Sequence, residues 1–241
     1  MRFFYDLHIH SCLSPCGDTD MTPNNIVNMA KLKGLDIIAL TDHNSSKNCP
    51  ALLKAAERAG VLALPGMELC TAEECHVVCL FPNLDAALEF DKMVEKSLPD
   101  IKNNPDIFGE QIIMDGDDTI TGTYPTLLTT ASSIGLDEAA NLAGRFGGVA
   151  VPAHIDRPSF SVISVLGDVP GEGFSAYEIS GLNCVDTLSQ RYPAISGKTI
   201  LINSDAHYLS DINETGPWLE LGFLSPENVI GALLNGCQWG F

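Results

Sequence analysis

Apolar and polar positions along the chain predict an alternation of strands and helices. Short apolar runs typical of buried strands occupy residues 3–9, 36–41, 61–69, 147–154, 175–180 and 199–207. The first helix is expected to begin after Thr22, an N-cap residue followed by Pro23, and to end at Gly34. Further helices are predicted over residues 50–60, 84–98, 135–148, 158–166 and 225–236. Such repetition indicates parallel strands joined by right-handed crossovers.

The regular alternation breaks after Glu68. Too few residues separate Glu68 from His76 for a helical crossover, so the chain is expected to turn back as a hairpin on which both residues meet. The stretch from His76 to His154 is much longer than the roughly 30 residues of one βα unit. We therefore predict one barrel domain over residues 1–241 with a mainly helical subdomain inserted over residues 91–147. This insertion either covers the site or is a peripheral elaboration without catalytic contact.

Composition and charge limit the class of protein. The chain has 241 residues, 45% of them hydrophobic, which is enough for a large core. No run approaches the roughly 20 apolar residues of a membrane span, and the N-terminus lacks signal-peptide features, so we expect a cytoplasmic protein without membrane contact. The net charge of −18 argues against binding of duplex DNA or long RNA. Small phosphorylated substrates remain compatible with it, because bound metals invert the local charge.

All six histidines fall in segments that also carry carboxylates or that end a predicted strand. Together with two carboxylates they form a candidate set of metal ligands: His8, His10, His43, Glu68, His76, His154, Asp205 and His207. In a parallel barrel the C-terminal ends of the strands form one face, so these residues are expected to meet there. A lone histidine pair is weak evidence, but the conjunction is specific. The set exceeds what one ion needs, and it suits zinc, manganese or iron.

The eight cysteines form no CxxC motif. In a large chain expected to be cytoplasmic, we interpret them as buried or idle thiols rather than as a disulfide framework. A second interpretation places Cys12 or Cys16 near the metals, because both follow the HxH pair closely.

The order of these motifs resembles the PHP superfamily (polymerase and histidinol phosphatase). The resemblance is carried by an HxH at residues 8–10, an early acidic residue, a TDH at residues 41–43, Glu68, His76, His154 and a DxH at residues 205–207. It implies a distorted (β/α)7 TIM-like barrel in the α/β class. It also implies two or three divalent metal ions (Zn, Mn, Fe or Mg) at the mouth, and hydrolysis of phosphoesters.

The same resemblance divides the ligands among three ions. It assigns one ion to His8, His10, Glu68 and Asp205, a second to Glu68, His76 and His154, and a third to Asp18, His43 and His207. Asp18 lies farther from the HxH pair than the family pattern has it, and Asp20 is its rival, although Asp20 can instead support the following helix. Asp18 and His207 are also candidates for a catalytic proton transfer.

Arg157 is a further catalytic candidate, because it follows the predicted ligand His154 closely. A guanidinium can grip phosphate oxygens in a bidentate manner, whereas the alternative is a surface salt bridge. The chain contains neither GxxxxGK[ST] nor GxGxxG, so no nucleotide cofactor is indicated.

The sequence therefore predicts a metal-dependent hydrolase of phosphoric esters. It would hydrolyse a small phosphomonoester or a nucleotide phosphoester with a metal-activated water, and its partner would be a small phosphorylated molecule, with nucleotides and short oligonucleotides included. Two alternatives stay open. One is an amidohydrolase-like enzyme, which no strand-end lysine supports, and the other is a non-catalytic metal-binding regulatory module.

Overall fold

Strands and helices enclose a distorted α/β barrel in the computed structural model, which describes residues 1–181 and 185–241. The strands in chain order are β1 (Arg2–Ile9), β2 (Ile37–Leu40), β3 (Leu62–Cys70), β4 (His76–Leu80), β5 (Ile112–Met114), β6 (Ile120–Thr123), β7 (Val149–Pro152), β8 (Ala176–Ile179), β9 (Thr199–Ile202), β10 (Trp218–Glu220) and β11 (Trp239–Gly240). Strands β1 to β4 and β7 to β9 form the barrel wall.

The wall mixes parallel and antiparallel neighbours. Strands β1, β2 and β3 are parallel, whereas β4 runs antiparallel to both β3 and β7, as the short Glu68–His76 connection predicts. Strand β8 joins β7 through a hydrogen bond from the Ile155 amide to the Glu178 carbonyl. The barrel closes where Ile9 at the end of β1 bridges to Ala206 after β9. The α/β barrel expected from the sequence is thereby confirmed.

The helices lie outside the wall, except for the last one. They are α1 (Pro23–Leu32), α2 (Cys49–Ala59), α3 (Leu84–Ser97), α4 (Pro105–Phe108), α5 (Leu136–Arg145), α6 (Val162–Leu166), α7 (Val185–Arg191) and α8 (Pro226–Asn235). Thr22 and Ser225 cap α1 and α8 with their side chains, as predicted. Helix α6 begins later than predicted, because Ser161 forms a capping box with Ser164 and the preceding residues form a loop.

The core divides into an interior and two outer layers. Helices α1 and α2 cover one side of the wall, and α3 and α5 cover another. Leu64, Val78 and Leu201 fill the interior together with Val229 of α8, which closes the barrel at one end. Polar side chains are consequently displaced to the opposite end, where the strands finish.

A β-bulge in β1 sets the direction of its histidines. The pairing with β2 gains one residue between Asp6 and Ile9, so Leu7 packs in the interior cluster while Ile9 packs in the outer layer beneath α1. The extra residue places His8 and His10 on the inner face together.

Residues 91–147 contain the end of α3, helix α4, the β5–β6 hairpin and all of α5. Parts of this stretch pack on the loops that follow β1 and β2. The Ile112 amide donates to the Cys12 carbonyl at 2.9 Å, and Asn44 donates its side-chain amide to the Leu128 carbonyl at 2.7 Å. Over residues 1–181 and 185–241, none of the helices combines the length and the apolar character required to cross a lipid bilayer.

Candidate metal centre

The candidate metal ligands converge at the end of the barrel where the strands finish. Except for Asp18, the predicted ligands lie in one connected cluster, namely His8, His10, His43, Glu68, His76, His154, Asp205 and His207. Successive side chains along a strand point to opposite faces. The alternate residues of β3, β4 and β9 pack in the outer layers, so the ligand side chains that these strands carry point inward.

One group consists of the HxH pair and two carboxylates. The possible ligand atoms of His8, His10, Glu68 and Asp205 all lie within 4.8 Å of one another. Nε2 of His8 is 3.2 Å from Oε1 of Glu68, and Nε2 of His10 is 3.0 Å from Oδ1 of Asp205. Both histidines are completely buried. The group offers two imidazoles and two carboxylates to one ion.

Glu68 lies at the centre of the cluster, and its two oxygens face different histidines. Oε1 is 2.8 Å from Nδ1 of His76 and 3.2 Å from Nε2 of His154. Oε2 is 2.8 Å from Nδ1 of His43 and 3.3 Å from Nε2 of His10. This arrangement allows one carboxylate to serve more than one ion.

A third group contains imidazoles alone. Ligand atoms of His10, His43 and His207 lie within 4.8 Å of one another, and the His10 and His207 rings stack at 4.2 Å between centroids. Beside them, Sγ of Cys16 is 3.1 Å from Nε2 of His207.

Several buried polar atoms of the cluster lack hydrogen-bond partners in the part of the chain that the structure describes. They are His43 Nδ1, Glu68 Oε2, His154 Nδ1 and Asp205 Oδ1. His43 Nδ1 and Glu68 Oε2 are 2.8 Å apart, but their geometry is not that of a hydrogen bond. Because unpaired buried polar atoms are costly, and because imidazole and carboxylate are the ligands that zinc, manganese and iron accept, these residues fit divalent cations.

The protonation of the cluster also fits cations. Burial alone would raise the pKa of Glu68, but the charges of His76, His8 and His43 outweigh burial and hold this pKa well below its usual range. Burial and the neighbouring His10 lower the pKa of His207 to about 4. At neutral pH, Glu68 is therefore ionised and His207 is neutral. Burial alone would lower the pKa of His8 and of His10, but the surrounding carboxylates raise the first well above its usual range and the second to about 9, so a bound cation would replace the protons on these imidazoles.

Two residues of the cluster have left-handed backbone conformations. His154 has φ of 30° and Asp205 has φ of 53°, which non-glycine residues rarely adopt. Such strain concentrates at functional sites, where the surrounding structure holds the residue in place.

Glu178 is a buried partner of the cluster that the sequence analysis missed. Both of its carboxylate oxygens lie 3.0 Å from Nδ1 of His8, while the His154 amide and the Asn203 side chain donate to it at 3.0 Å and 2.6 Å. The feature of the sequence that could have identified Glu178 is that it is the single carboxylate in an apolar strand, AYEI, and lies on its inward face. Its position orients the His8 ring toward Glu68.

A second set of contacts orients His10. Its Nδ1 atom is 2.9 Å from the Ser14 hydroxyl, which in turn donates to the Asp42 carboxylate at 2.7 Å. Asp42 also accepts hydrogen bonds from the amide and the hydroxyl of Ser11, both at 2.7 Å. The TDH segment therefore holds the loop after β1 as well as supplying His43.

The predicted residues Asp18 and Arg157 have different surroundings. Asp18 belongs to none of the three groups found among the described residues, and its carboxylate accepts a hydrogen bond from the Asp20 amide at 2.8 Å. Arg157 lines a cavity of about 190 Å³ over the cluster. Its guanidinium pairs with Asp205 and donates to the Ser180 hydroxyl at 3.1 Å.

A family model matches the part of the chain that carries several residues of the cluster. The family model described as "PHP domain" matches residues 6–143, which include the HxH, the TDH, Glu68 and His76.

Curated relatives align over part of the chain. An uncharacterised protein of Methanocaldococcus jannaschii is 34% identical over 101 residues, or 38% of this chain and 58% of that protein. A 5′–3′ exoribonuclease of Haemophilus influenzae is 30% identical over 100 residues, or 38% of this chain and 35% of the enzyme. The alignments thus span only part of the length of these relatives.

Solved structures match the fold over the whole chain. The lesion-specific endonuclease of Pyrococcus furiosus superposes with a TM-score of 0.69 and 21% identity, over 100% of this chain and 57% of that one. Endonuclease Q in complex with a 27-mer duplex carrying an abasic lesion gives a TM-score of 0.67 over 100% of this chain and 58% of that one.

These comparisons contradict the expectation that the acidic chain disfavours long nucleic acid as a partner. That expectation rested on the net charge of −18. A duplex is bound by one protein of this fold, and a relative is an exoribonuclease. The error is physical: net charge describes the whole surface, whereas the field at the opening over the cluster depends on the side chains there and on any cations that they hold.

Proposed function

Because the chain belongs to the PHP domain family, we propose that it is a metal-dependent phosphoesterase that hydrolyses phosphodiester bonds of nucleic acid. The observation that carries the proposal is the central carboxylate of Glu68, with His76 on one oxygen and His43 on the other. A carboxylate shared in this way is typical of sites that hold neighbouring ions.

The chain's own residues would hold the ions and orient the phosphate. His8, His10, Glu68 and Asp205 would hold one ion, and Glu68, His76 and His154 another. When bound, divalent ions supply Lewis acidity that lowers the pKa of water and offsets charge on phosphoryl oxygens. Arg157, at the cavity wall, would donate to the same oxygens.

An exposed aromatic ring supports nucleic acid as the substrate class. Phe160 lies at the cavity, stacks on His76 at 4.7 Å between centroids, and keeps 46% of its surface exposed. Its left-handed backbone, with φ of 54°, holds the ring in this position. Exposed aromatic rings beside a phosphate site bind bases by stacking, which contributes roughly 1–3 kcal/mol per base.

The size of the cavity further limits how a strand can enter. A volume of about 190 Å³ is large enough for a phosphate with its sugar but too small for a stacked base pair to enter the cavity whole. A strand end or an unstacked nucleotide is therefore the form that the site would accept, with the adjoining base on Phe160.

The test compares substrates in a single assay. Metal-loaded protein is incubated with end-labelled single-stranded RNA, single-stranded DNA and duplex DNA containing one abasic site, alongside p-nitrophenyl phosphate and mononucleotides. We expect Mn²⁺- or Zn²⁺-dependent cleavage of at least one oligonucleotide, with kcat/KM at least about tenfold above that for the monoesters.

The controls separate the site from the rest of the surface. Glu68→Gln should abolish cleavage, whereas Glu57→Gln, on the exposed side of α2, should leave it unchanged. Phe160→Ala should raise KM for oligonucleotides more than for monoesters. Hydrolysis of monoesters alone, or of an amide or lactone, would overturn the proposed substrate class. Metal binding without any turnover would overturn the proposal that the protein is an enzyme.

A further inference from the structure

The loop after β1 brings a thiol to the metal centre. The Gly17 amide donates to the Ser14 carbonyl at 2.8 Å, and the Asp18 amide donates to the His207 carbonyl at 2.9 Å. A Cβ atom at Gly17 would lie 2.5 Å from the Ser11 carbonyl oxygen, so only glycine fits there. These contacts fix the loop against the segment that carries His207, with Cys16 facing it.

Cys16 contacts the group of the cluster that lacks a carboxylate. Its Sγ atom is 3.1 Å from Nε2 of His207, and His207 belongs to one group with His43. His43 is only 7% exposed, and its Nδ1 atom, which lies 2.8 Å from Oε2 of Glu68, has no hydrogen-bond partner within residues 1–181 and 185–241. The His43 and His207 imidazoles next to this thiol form a nitrogen and sulfur ligand set.

The acidic candidate for this group is engaged elsewhere. Asp18 turns its carboxylate to the Asp20 amide within its own loop, at 2.8 Å, where it closes a turn. Asp20 is exposed. Cys12 points away as well, since it packs with Ile112 and Met114 of the hairpin. Cys16 is thus the anionic ligand that the loop geometry offers.

We infer that Cys16 coordinates, as a thiolate, the ion held by His43 and His207, in place of a carboxylate from Asp18. The inference rests on the metal centre of the proposed function. Binding of the ion releases the thiol proton to solvent. A thiolate ligand selects zinc, iron or cobalt over magnesium or manganese, so this position would differ in metal preference from the carboxylate-rich group around Glu68 and Asp205.

Cobalt provides a readout that is independent of activity. The protein, without a histidine tag, is stripped with chelator, reconstituted with Co²⁺ and examined by near-ultraviolet absorption, and bound metal is measured by elemental analysis. We expect a thiolate-to-cobalt charge-transfer band that is lost in Cys16→Ser together with part of the bound cobalt. Cys16→Asp should keep the cobalt and lose the band.

Matched variants make the result specific. Cys12→Ser, Asp18→Asn and Cys237→Ser, the last of these remote from the cluster beside α8, should all retain the band. Cobalt bound without a thiolate band, or a band that persists in Cys16→Ser, would overturn the role of Cys16 and leave the metal centre in place. Absence of bound cobalt would overturn both the role of Cys16 and the metal centre. A thiolate-to-cobalt band in a protein that cleaves no phosphoester would overturn only the proposed function.

Discussion

Glu178 holds Nδ1 of His8 at 3.0 Å, so that the opposite ring nitrogen of His8 faces Glu68 and Asp205, each at 3.2 Å. The His8 ring is completely buried, and its tautomer is therefore set by this contact rather than by solvent. A histidine held in this way presents Nε2 as a metal ligand with increased basicity.

Glu178→Gln should weaken this support. An amide cannot accept from Nδ1 of His8 and from the His154 amide with the strength of a carboxylate, so we expect metal affinity to fall by about 10- to 100-fold. Competition with a chelator measures the change. Glu172→Gln, at an exposed position, is the matched control and should bind metal as the natural protein does. Equal affinity in both variants would exclude this role for Glu178.

Ser14→Ala should disturb His10 in a related but smaller way. The hydroxyl joins His10 to Asp42. Its loss leaves Nδ1 of the buried His10 without this partner and removes one of the hydrogen bonds that Asp42 accepts, at a cost of about 1–3 kcal/mol. We expect faster loss of metal to chelator in stopped-flow measurements. Ser133→Ala, at an exposed position, serves as the control. Unchanged metal loss would show that Ser14 does not position His10.

Arg157→Ala tests the phosphate contact predicted from the sequence. A charged hydrogen bond contributes about 1.5–3 kcal/mol, so kcat/KM should fall by about 10- to 100-fold while metal content stays the same. Arg157→Lys should not restore the activity, because a lysine lacks the bidentate fork. Arg145→Ala, on the exposed side of α5, is the control. If Arg157→Ala retained activity within a few-fold, the role of Arg157 would be limited to its structural ion pair with Asp205.

Gly17→Ala should move the loop that carries Cys16. The added methyl group would lie 2.5 Å from the Ser11 carbonyl oxygen, and such overpacking typically costs about 1–3 kcal/mol of the free energy of unfolding. Gly144→Ala provides the contrast, since its Cβ atom meets nothing within 4 Å and its position is helical. It should be neutral or stabilising by up to about 1 kcal/mol. Thermal unfolding of both variants measures the difference, and equal stability would contradict the packing at Gly17.

Local patterns account for much of what the sequence predicts correctly. Thr22 and Ser225 cap their helices as expected, because side-chain capping depends on a few neighbouring residues. The hairpin joining Glu68 and His76 follows from chain length alone. The meeting of the histidines follows from barrel geometry, in which the strand ends share one face.

Other features depend on contacts between distant segments and are less accessible. The choice between Asp18 and Cys16 depends on a turn held by the Ser11 carbonyl and by His207, which no local pattern encodes. Glu178 is a single letter in a strand, and its role appears only when β8 lies near β1. The edge strands β10 and β11 are too short to carry a clear period, and they form because β1 leaves its edge open.

The central claim is that Glu68 is shared by neighbouring metal ions in one site. Anomalous diffraction from crystals of the metal-loaded protein, recorded above and below the absorption edge of the bound metal, tests this claim most directly. We expect at least two anomalous peaks beside the Glu68 carboxylate, both of which disappear in Glu68→Gln. A single peak at this cluster, or peaks only elsewhere on the protein, would contradict it.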